Sequence, residues 1–317
     1  MKKVLITRKL LSASEEYAGR IFDAKFNRED QIISKEELIS RSNDCDGILS
    51  SLTEKIDSDV ISKLSNSIKI ISNFAVGFGN IDIVAAKKKN IIVTNTPDVL
   101  TDATAEIAML ILLGASRRAK EGLEWANKKN WKWSADFLMG KQLTGSRLGI
   151  LGMGRIGRAV ADRARSFGMI VHYHNRSQLD KNLEKGAIFH NTLESLLSVS
   201  DFFSINCPAT KETKHIINKE TLKLFPSGAI LSNSARGDMI DDDAMVEALK
   251  NGKIYSLGLD VYNGEPNIHP EYLTLPNVFV LPHLGSSTIK TRTAMGNLAV
   301  SNLEEFFKTG KCKNRVN

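Results

Sequence analysis

The chain has 317 residues, a formal net charge of +7, and 42% hydrophobic and 25% charged residues, the profile of an ordinary globular protein long enough for two domains. Its basic residues are scattered, with Lys87 to Lys89 and Lys128 with Lys129 as the densest runs, and no arginine-rich or aromatic-interleaved stripe occurs, so nucleic acid is not an expected partner. Three widely spaced cysteines, Cys45, Cys207 and Cys312, form no CxxC pair, which speaks against a disulfide framework or a metal site and implies reduced thiols in the cytoplasm.

The opening M-K-K-V-L-I-T-R-K has too short an apolar core for a signal peptide and reads as a first strand. No later run is long enough to span a membrane, so none is expected to. Strands are predicted over residues 4–7, 47–49, 68–72 and 91–94, with helices over 34–41, 57–64 and 81–89 between them. Ser34 and Asp57 stand near the starts of the first two helices. This alternation predicts a parallel sheet with crossover helices. After the third of these strands comes N-F-A-V-G-F-G-N-I-D, residues 73–82. It falls at a carboxyl end of the sheet, where such folds bind ligands, and its backbone N–H groups can hold a carboxylate or simply form a strand-to-helix turn.

A long helix is predicted over 102–119, apolar almost all round and therefore buried, between domains. Residues 121–144 are less regular, with Trp131, Trp133 and Phe137 beside lysines, which suits either a subunit interface or a local aromatic pocket. Then comes L-G-I-L-G-M-G-R-I-G, residues 148–157. An apolar strand runs into Gly152, Gly154 and Gly157, and a helix opens behind them. The first glycine makes the tight turn, the second lets the backbone approach a pyrophosphate, and the third lets helix pack on strand. The helix N-terminus then offers free N–H groups to the phosphates.

The next predicted strand, 170–173, ends in His174-Asn175-Arg176-Ser177. An acidic residue expected there in an NAD site is replaced by Asn175, which does not repel a 2′-phosphate, while Arg176 and Ser177 can bond one. The sequence therefore leans to NADP(H), with NAD(H) still usable. Further strands are predicted over 202–206, 229–233, 255–260 and 278–281. Three of their carboxyl ends carry Ser234-Ala235-Arg236-Gly237, then Asp260 with Gly264-Glu265-Pro266, then Pro282-His283-Leu284-Gly285. An arginine, a carboxylate and a histidine converging on a cofactor crevice suit reduction of a 2-oxo acid. Arg236 would bind the carboxylate and carbonyl oxygen, His283 would donate the proton, and Glu265 would orient the imidazole and favour its charged form.

These motifs, G-M-G-R-I-G, S-N-S-A-R-G-D, G-L-D-V-Y-N-G-E-P and L-P-H-L-G-S, occur in the order found in the D-isomer-specific 2-hydroxyacid dehydrogenases, which the chain resembles over nearly its whole length. H-N-R-S and W-K-W make it most similar to the glyoxylate and hydroxypyruvate reductases. The resemblance implies an α/β protein of two doubly wound parallel-sheet domains. A Rossmann-type cofactor domain (99–286) would be inserted in a flavodoxin-like catalytic domain (1–98 and 287–317), with the final helix returning to the latter. It implies Arg236, Glu265 and His283 as the catalytic set, and substrate contacts from Val76, Gly77, Arg236 and His283. Cofactor contacts are implied at Gly152, Gly154, Arg155, Ile156, Gly157, Asn175, Arg176, Ser177, Cys207, Pro208, Ser234, Asp260, His283 and Gly285, with Asp260 near the nicotinamide amide. A homodimer formed through the cofactor domain is implied as well. Glu265 disfavours the formate dehydrogenases, which carry glutamine there. D-3-phosphoglycerate dehydrogenase remains an alternative, as does a dinucleotide-sensing, corepressor-like binding module.

Overall fold

The computed structural model describes residues 1–128 and 131–317, so Lys129 lies outside the described residues. The chain divides into two compact units, residues 1–100 with 286–317, and residues 101–285.

In chain order the first unit holds β1 (Lys3–Ile6), α1 (Ser12–Ile21), β2 (Asp23–Phe26), α2 (Lys35–Arg41), β3 (Gly47–Ser50), α3 (Ser58–Lys63), β4 (Ile70–Asn73), α4 (Ile83–Lys88) and β5 (Ile92–Thr94). All neighbouring strands are parallel and the order is β2-β1-β3-β4-β5, a doubly wound arrangement. Both β3 and β4 are buried along their whole length, as strands covered on both faces must be. The two faces carry separate cores, one around Ile48, Val60, Ile71 and Val93, the other around Val4, Ile6, Leu49 and Ile70. Helix starts are fixed by side chains that occupy orphan backbone N–H groups. Ser34 forms a capping box with Glu37, and Asp57 and Asp82 cap the next two helices.

The second unit begins with α5 (Thr101–Ser116) and α6 (Ala119–Ala126) and continues with β6 (Arg147–Leu151), α7 (Arg155–Ser166), β7 (Ile170–His174), α8 (Lys181–Glu184), β8 (Ile188–Phe189), α9 (Leu193–Leu197) and β9 (Phe202–Ile205). It closes with α10 (Lys219–Leu224), β10 (Ala229–Asn233), α11 (Asp242–Lys250), β11 (Ile254–Leu259), α12 (Pro270–Thr274) and β12 (Val278–Val280). Its seven parallel strands run β8-β7-β6-β9-β10-β11-β12. The order reverses between β6 and β9, and ligands of such sheets bind at the carboxyl side of that point. The chain then returns to the first unit as α13 (Ile289–Thr309), whose Ala299, Val300 and Leu303 complete the core against β1 and β4.

Two predicted features are corrected. The helix expected over 102–119 stops at Ser116, because the N–H of Lys141 takes the Ser116 carbonyl at 2.8 Å, and Arg118 turns the chain with φ 53° before α6. It packs on β10, β11 and β12 of its own unit. The pair α1 and β2 is missing from the sequence prediction. The small residues that α1 buries, Ser14 and Ala18, leave no apolar stripe to read, and β2 is a half-exposed edge strand. Among the described residues, no helix is long and apolar enough to cross a membrane.

Helix α5 lies so close to the sheet that glycine is required beneath it. A Cβ on Gly258 would stand 2.3 Å from the carbonyl oxygen of Ile111, and one on Gly114 would stand 2.5 Å from the Phe279 ring. Gly258→Ala is expected to lower unfolding stability by about 1–3 kcal/mol in urea titration, since backbone and not a flexible side chain must move. An unchanged midpoint would show that α5 can shift freely.

Candidate active site

The turn after β6 is shaped by contacts a side chain would violate. Gly152 has φ 89°, and a Cβ there would lie 2.6 Å from the backbone of Cys207. On Gly157 a Cβ would lie 2.3 Å from the Gly152 carbonyl oxygen, whereas the space around Gly154 is open. Gly154 is the N-cap of α7 and no side chain caps that helix, so its first-turn N–H groups and their partial positive charge face outward. A phosphate approaching Gly154 meets no Cβ. The residues present therefore fit a dinucleotide's pyrophosphate.

Asn175 takes part in the same turn. Its Oδ1 accepts from the Met153 N–H at 2.7 Å, and the His174 carbonyl accepts from Gly152 N–H at 3.0 Å, so the end of β7 clamps the glycine loop. Arg176 and Ser177 follow, both exposed. Ile156 is half-buried in the first turn of α7, next to the exposed Arg155. The Cys207 thiol sits against the Met239 sulfur, and burial pushes its pKa up to about 11. It is a neutral group that offers backbone and apolar surface, beside the exposed Pro208.

The three carboxyl ends singled out in the sequence meet in one cluster of this unit. Asn233, the last residue of β10, accepts from Ala235 N–H at 2.9 Å and donates Nδ2–H to the Arg236 carbonyl at 2.7 Å, and so shapes the turn that carries Ser234 and Arg236. Gly237 rests directly on the backbone of Tyr262 and Asn263, with no room for a Cβ. This contact joins the turn after β10 to the loop after β11. Burial lowers the pKa of the Arg236 guanidinium, and the charges of Glu265 and Asp238 oppose that. It stays a cation, as arginine does in proteins.

Glu265 accepts from Tyr262 N–H at 2.9 Å and from His283 Nδ1 at 2.7 Å. Burial pushes its carboxyl up, but the His283 hydrogen bond and charge, the Tyr262 N–H and Arg236 together bring it below the ordinary glutamate value. An ionised carboxylate only accepts, so Nδ1 carries the hydrogen and Nε2 is the free end of the ring. Such a ring can hold a proton on Nε2 and deliver it.

His283 itself has φ 53°, a left-handed conformation that costs a non-glycine residue roughly 1–2 kcal/mol. It is held there from both sides. Its own N–H donates to the Leu281 carbonyl at 3.1 Å. The Asp260 carboxylate, 1% exposed, accepts from Leu284 N–H at 2.7 Å and Gly285 N–H at 2.9 Å. The Gly285 carbonyl is bound in turn by Thr104 Oγ1 at 3.1 Å. Burial raises the Asp260 pKa and the two N–H groups offset part of that rise.

Sequence reasoning missed the roles of Asn233, Tyr262 and Asp260 as the frame of this cluster. For Asn233 and Asp260 the available signal was a polar residue at the end of an otherwise apolar strand; Tyr262 carries no such mark. Val76 and Gly77 lie in the first unit, in the loop after β4. Among the described residues, no group of three or more His, Cys, Asp or Glu side chains is arranged to hold a metal.

The family model of the D-isomer specific 2-hydroxyacid dehydrogenase NAD binding domain matches residues 109–285. A glycerate dehydrogenase of Hyphomicrobium methylovorum is 41% identical over 309 residues, covering 96% of each chain. A glyoxylate reductase of Thermococcus kodakarensis is 42% identical over 310 residues, 96% of this chain and 92% of that one. The crystal structure of an NADPH-dependent glyoxylate/hydroxypyruvate reductase from Sinorhizobium meliloti, in complex with NADP and malonate, aligns with a TM-score of 0.89 at 32% identity, covering 99% and 96% of the two chains.

Because Glu265 ionises more readily folded than unfolded, its contribution to stability is complete above the ordinary value of 4.5 and is lost as pH falls through the lower folded value. Glu265→Gln should therefore flatten the melting-temperature profile on the acid side of about pH 4.5 and leave its shape above that unchanged. A profile identical to that of the parent would contradict the ionised pair.

Proposed function

This chain belongs to the D-isomer specific 2-hydroxyacid dehydrogenase family, and from that premise we propose that it reduces glyoxylate or hydroxypyruvate to the corresponding 2-hydroxy acid, with NADPH preferred to NADH. The observation that carries the reading is the His283–Glu265 pair, with Nε2 as the free end of the ring and the Arg236 cation in the same loop cluster. The names of the relatives support the substrate class. Reversal of a glycerate oxidation at C2 is the reduction of hydroxypyruvate, so a glycerate dehydrogenase and a glyoxylate reductase call for the same chemistry.

Arg236 binds the substrate carboxylate and polarises the C2 carbonyl through its planar fork, which an ammonium cannot reproduce. His283 donates its Nε2 proton to the oxygen that becomes the hydroxyl, and Glu265 stabilises the imidazolium before transfer and keeps the ring oriented. In the first unit, the N–H groups of Val76 and Gly77 serve the carboxylate. The reduced dinucleotide, when bound, supplies the hydride that forms the new C–H bond at C2. It would be held by Gly152, Gly154, Arg155, Ile156 and Gly157 at the pyrophosphate and by Asn175, Arg176 and Ser177 at the ribose. Cys207, Pro208, Ser234, Asp260 and Gly285 complete its surroundings.

The preference for NADPH rests on the neutral Asn175 and the exposed Arg176 and Ser177 beside it, which admit a 2′-phosphate and can bond it. A homodimer is the expected assembly, formed through this unit. Trp125, Phe137 and Trp131 make a ring cluster with centroids 5.5 and 6.5 Å apart, and Trp131 and Trp133 are 51% and 79% exposed, an apolar surface that suits a partner copy. We place the protein in the cytoplasm, in keeping with its three unpaired cysteines.

The direct test is a steady-state assay of cofactor oxidation with glyoxylate, hydroxypyruvate and 3-phosphohydroxypyruvate against NADPH and NADH. The highest kcat/KM should belong to one of the first two acids with NADPH; no turnover of any acid, with tight dinucleotide binding, would sink the enzymatic reading. His283→Ala should lose about 10² to 10⁴ in kcat while still binding cofactor. Arg176→Ala should raise the KM for NADPH by about tenfold, the loss of a charge-assisted contact, and spare NADH. Equal losses with both cofactors would refute the role given to Arg176.

A further inference from the structure

The loop that follows β4 has its carbonyls and its N–H groups sorted to opposite sides. The Ala75 carbonyl accepts from Thr96 N–H at 2.9 Å, the Val76 carbonyl from Asn95 Nδ2 at 2.8 Å, and the Gly77 carbonyl from Asn73 Nδ2 at 3.0 Å. These peptides are trans, so each carbonyl points away from the N–H of the residue after it. Tying three consecutive carbonyls to the last residue of β4 and to the two residues that follow β5 therefore turns the N–H groups of Val76, Gly77 and Phe78 the other way. None of those three donates to an acceptor among the described residues.

Both asparagines are themselves fixed. Asn73 is fully buried, and its Oδ1 accepts from Ser50 Oγ at 3.1 Å and Asn80 Nδ2 at 3.3 Å. Asn80 Nδ2 also reaches the Ser51 carbonyl at 2.9 Å and the Glu54 carbonyl at 3.1 Å, so the loop after β3 is tied to the same network. The Asn95 backbone donates to the Asn314 carbonyl at 3.1 Å and accepts from Asn302 Nδ2 at 3.0 Å. In this way α13 and the segment behind it hold the residue that holds Val76. Amides suit this work because they donate to a carbonyl without adding a charge beside an anion.

We propose that Asn95 and Asn73 are positioning residues for the 2-oxo acid: they hold the Val76 and Gly77 carbonyls and thereby aim the N–H groups of Gly77 and Phe78, alongside that of Val76, at the substrate carboxylate. This rests on the reduction of 2-oxo acids proposed above. Three adjacent donors on one side of a loop match the acceptor capacity of a carboxylate's two oxygens. Without the amide of Asn95, the peptide between Val76 and Gly77 is free to rotate, and binding an anion must first restrict it.

The test is a calorimetric titration of oxamate, an unreactive 2-oxo acid analogue, into enzyme saturated with NADPH. Asn95→Ala should weaken oxamate by about tenfold, the effect of one lost buried hydrogen bond, and leave dinucleotide affinity unchanged. In turnover the loss should fall on the KM for the acid and not on kcat. Asn73→Ser, which keeps a small donor, should show a milder form of the same split, and it replaces the alanine variant if that one does not fold. Unchanged oxamate affinity in both variants overturns the inference, as does a loss shared equally by oxamate and dinucleotide. Failure of the enzymatic reading has a different signature, the absence of turnover in the unmodified protein with either cofactor.

Discussion

The buried Asp260 carboxylate accepts from two consecutive backbone N–H groups, Leu284 and Gly285, and the placement of His283 depends on that clamp. A histidine at φ 53° relaxes unless its neighbours determine its backbone. Here Leu281, two residues before it, and the two residues after it are all held. The Leu281 carbonyl accepts from His283 N–H and from Tyr262 Oη, and Asp260 takes the N–H groups beyond. The ring is thereby delivered to Glu265, whose other oxygen is fixed by the Tyr262 N–H. Polar groups lock the loops after β11 and β12 to each other.

Each unit applies the same logic at the carboxyl ends of its parallel strands. Short polar side chains that close an apolar strand turn inward and organise the backbone of the loops. Asn73 does so after β4, Asn95 after β5, Asn175 after β7, Asn233 after β10 and Asp260 after β11. Most of these polar groups lie at the ends of buried strands, where a missing partner is costly. The function proposed above would rest on backbone donors and a few ring or guanidinium groups set on that frame.

Several features were legible because their causes are local in the chain. The glycine turn is one. Gly152 needs its positive φ and Gly157 its contact with Gly152 within a few residues, so spacing alone announces the geometry. Alternating strands and helices, with Ser34 and Asp57 as caps, are local in the same sense. Elements without a local pattern were missed: α1 packs on α13 through Ser14 and Gly296, which sit close enough that a Cβ on the glycine would lie 2.4 Å from Ser14 Oγ, and such small residues leave no hydrophobic period.

The sequence by itself determined the class of fold and the glycine turn, and it singled out Arg236, Glu265 and His283 as the proposed site, because periodicity, glycine placement and chemical type are properties of short stretches. Only the tertiary structure decided what holds them. Asn175 reads in the sequence as the absence of a charge and is in the fold the clamp on Met153, and Asp260 reads as a ligand contact and is in the fold the anchor of the His283 loop. Asn95 and Val76 are 19 positions apart and Asn302 and Asn95 are 207 apart. A hydrogen bond forms between atoms brought within about 3 Å, and for residues that far apart it is packing of the sheet and its helices, not chain order, that sets the distance.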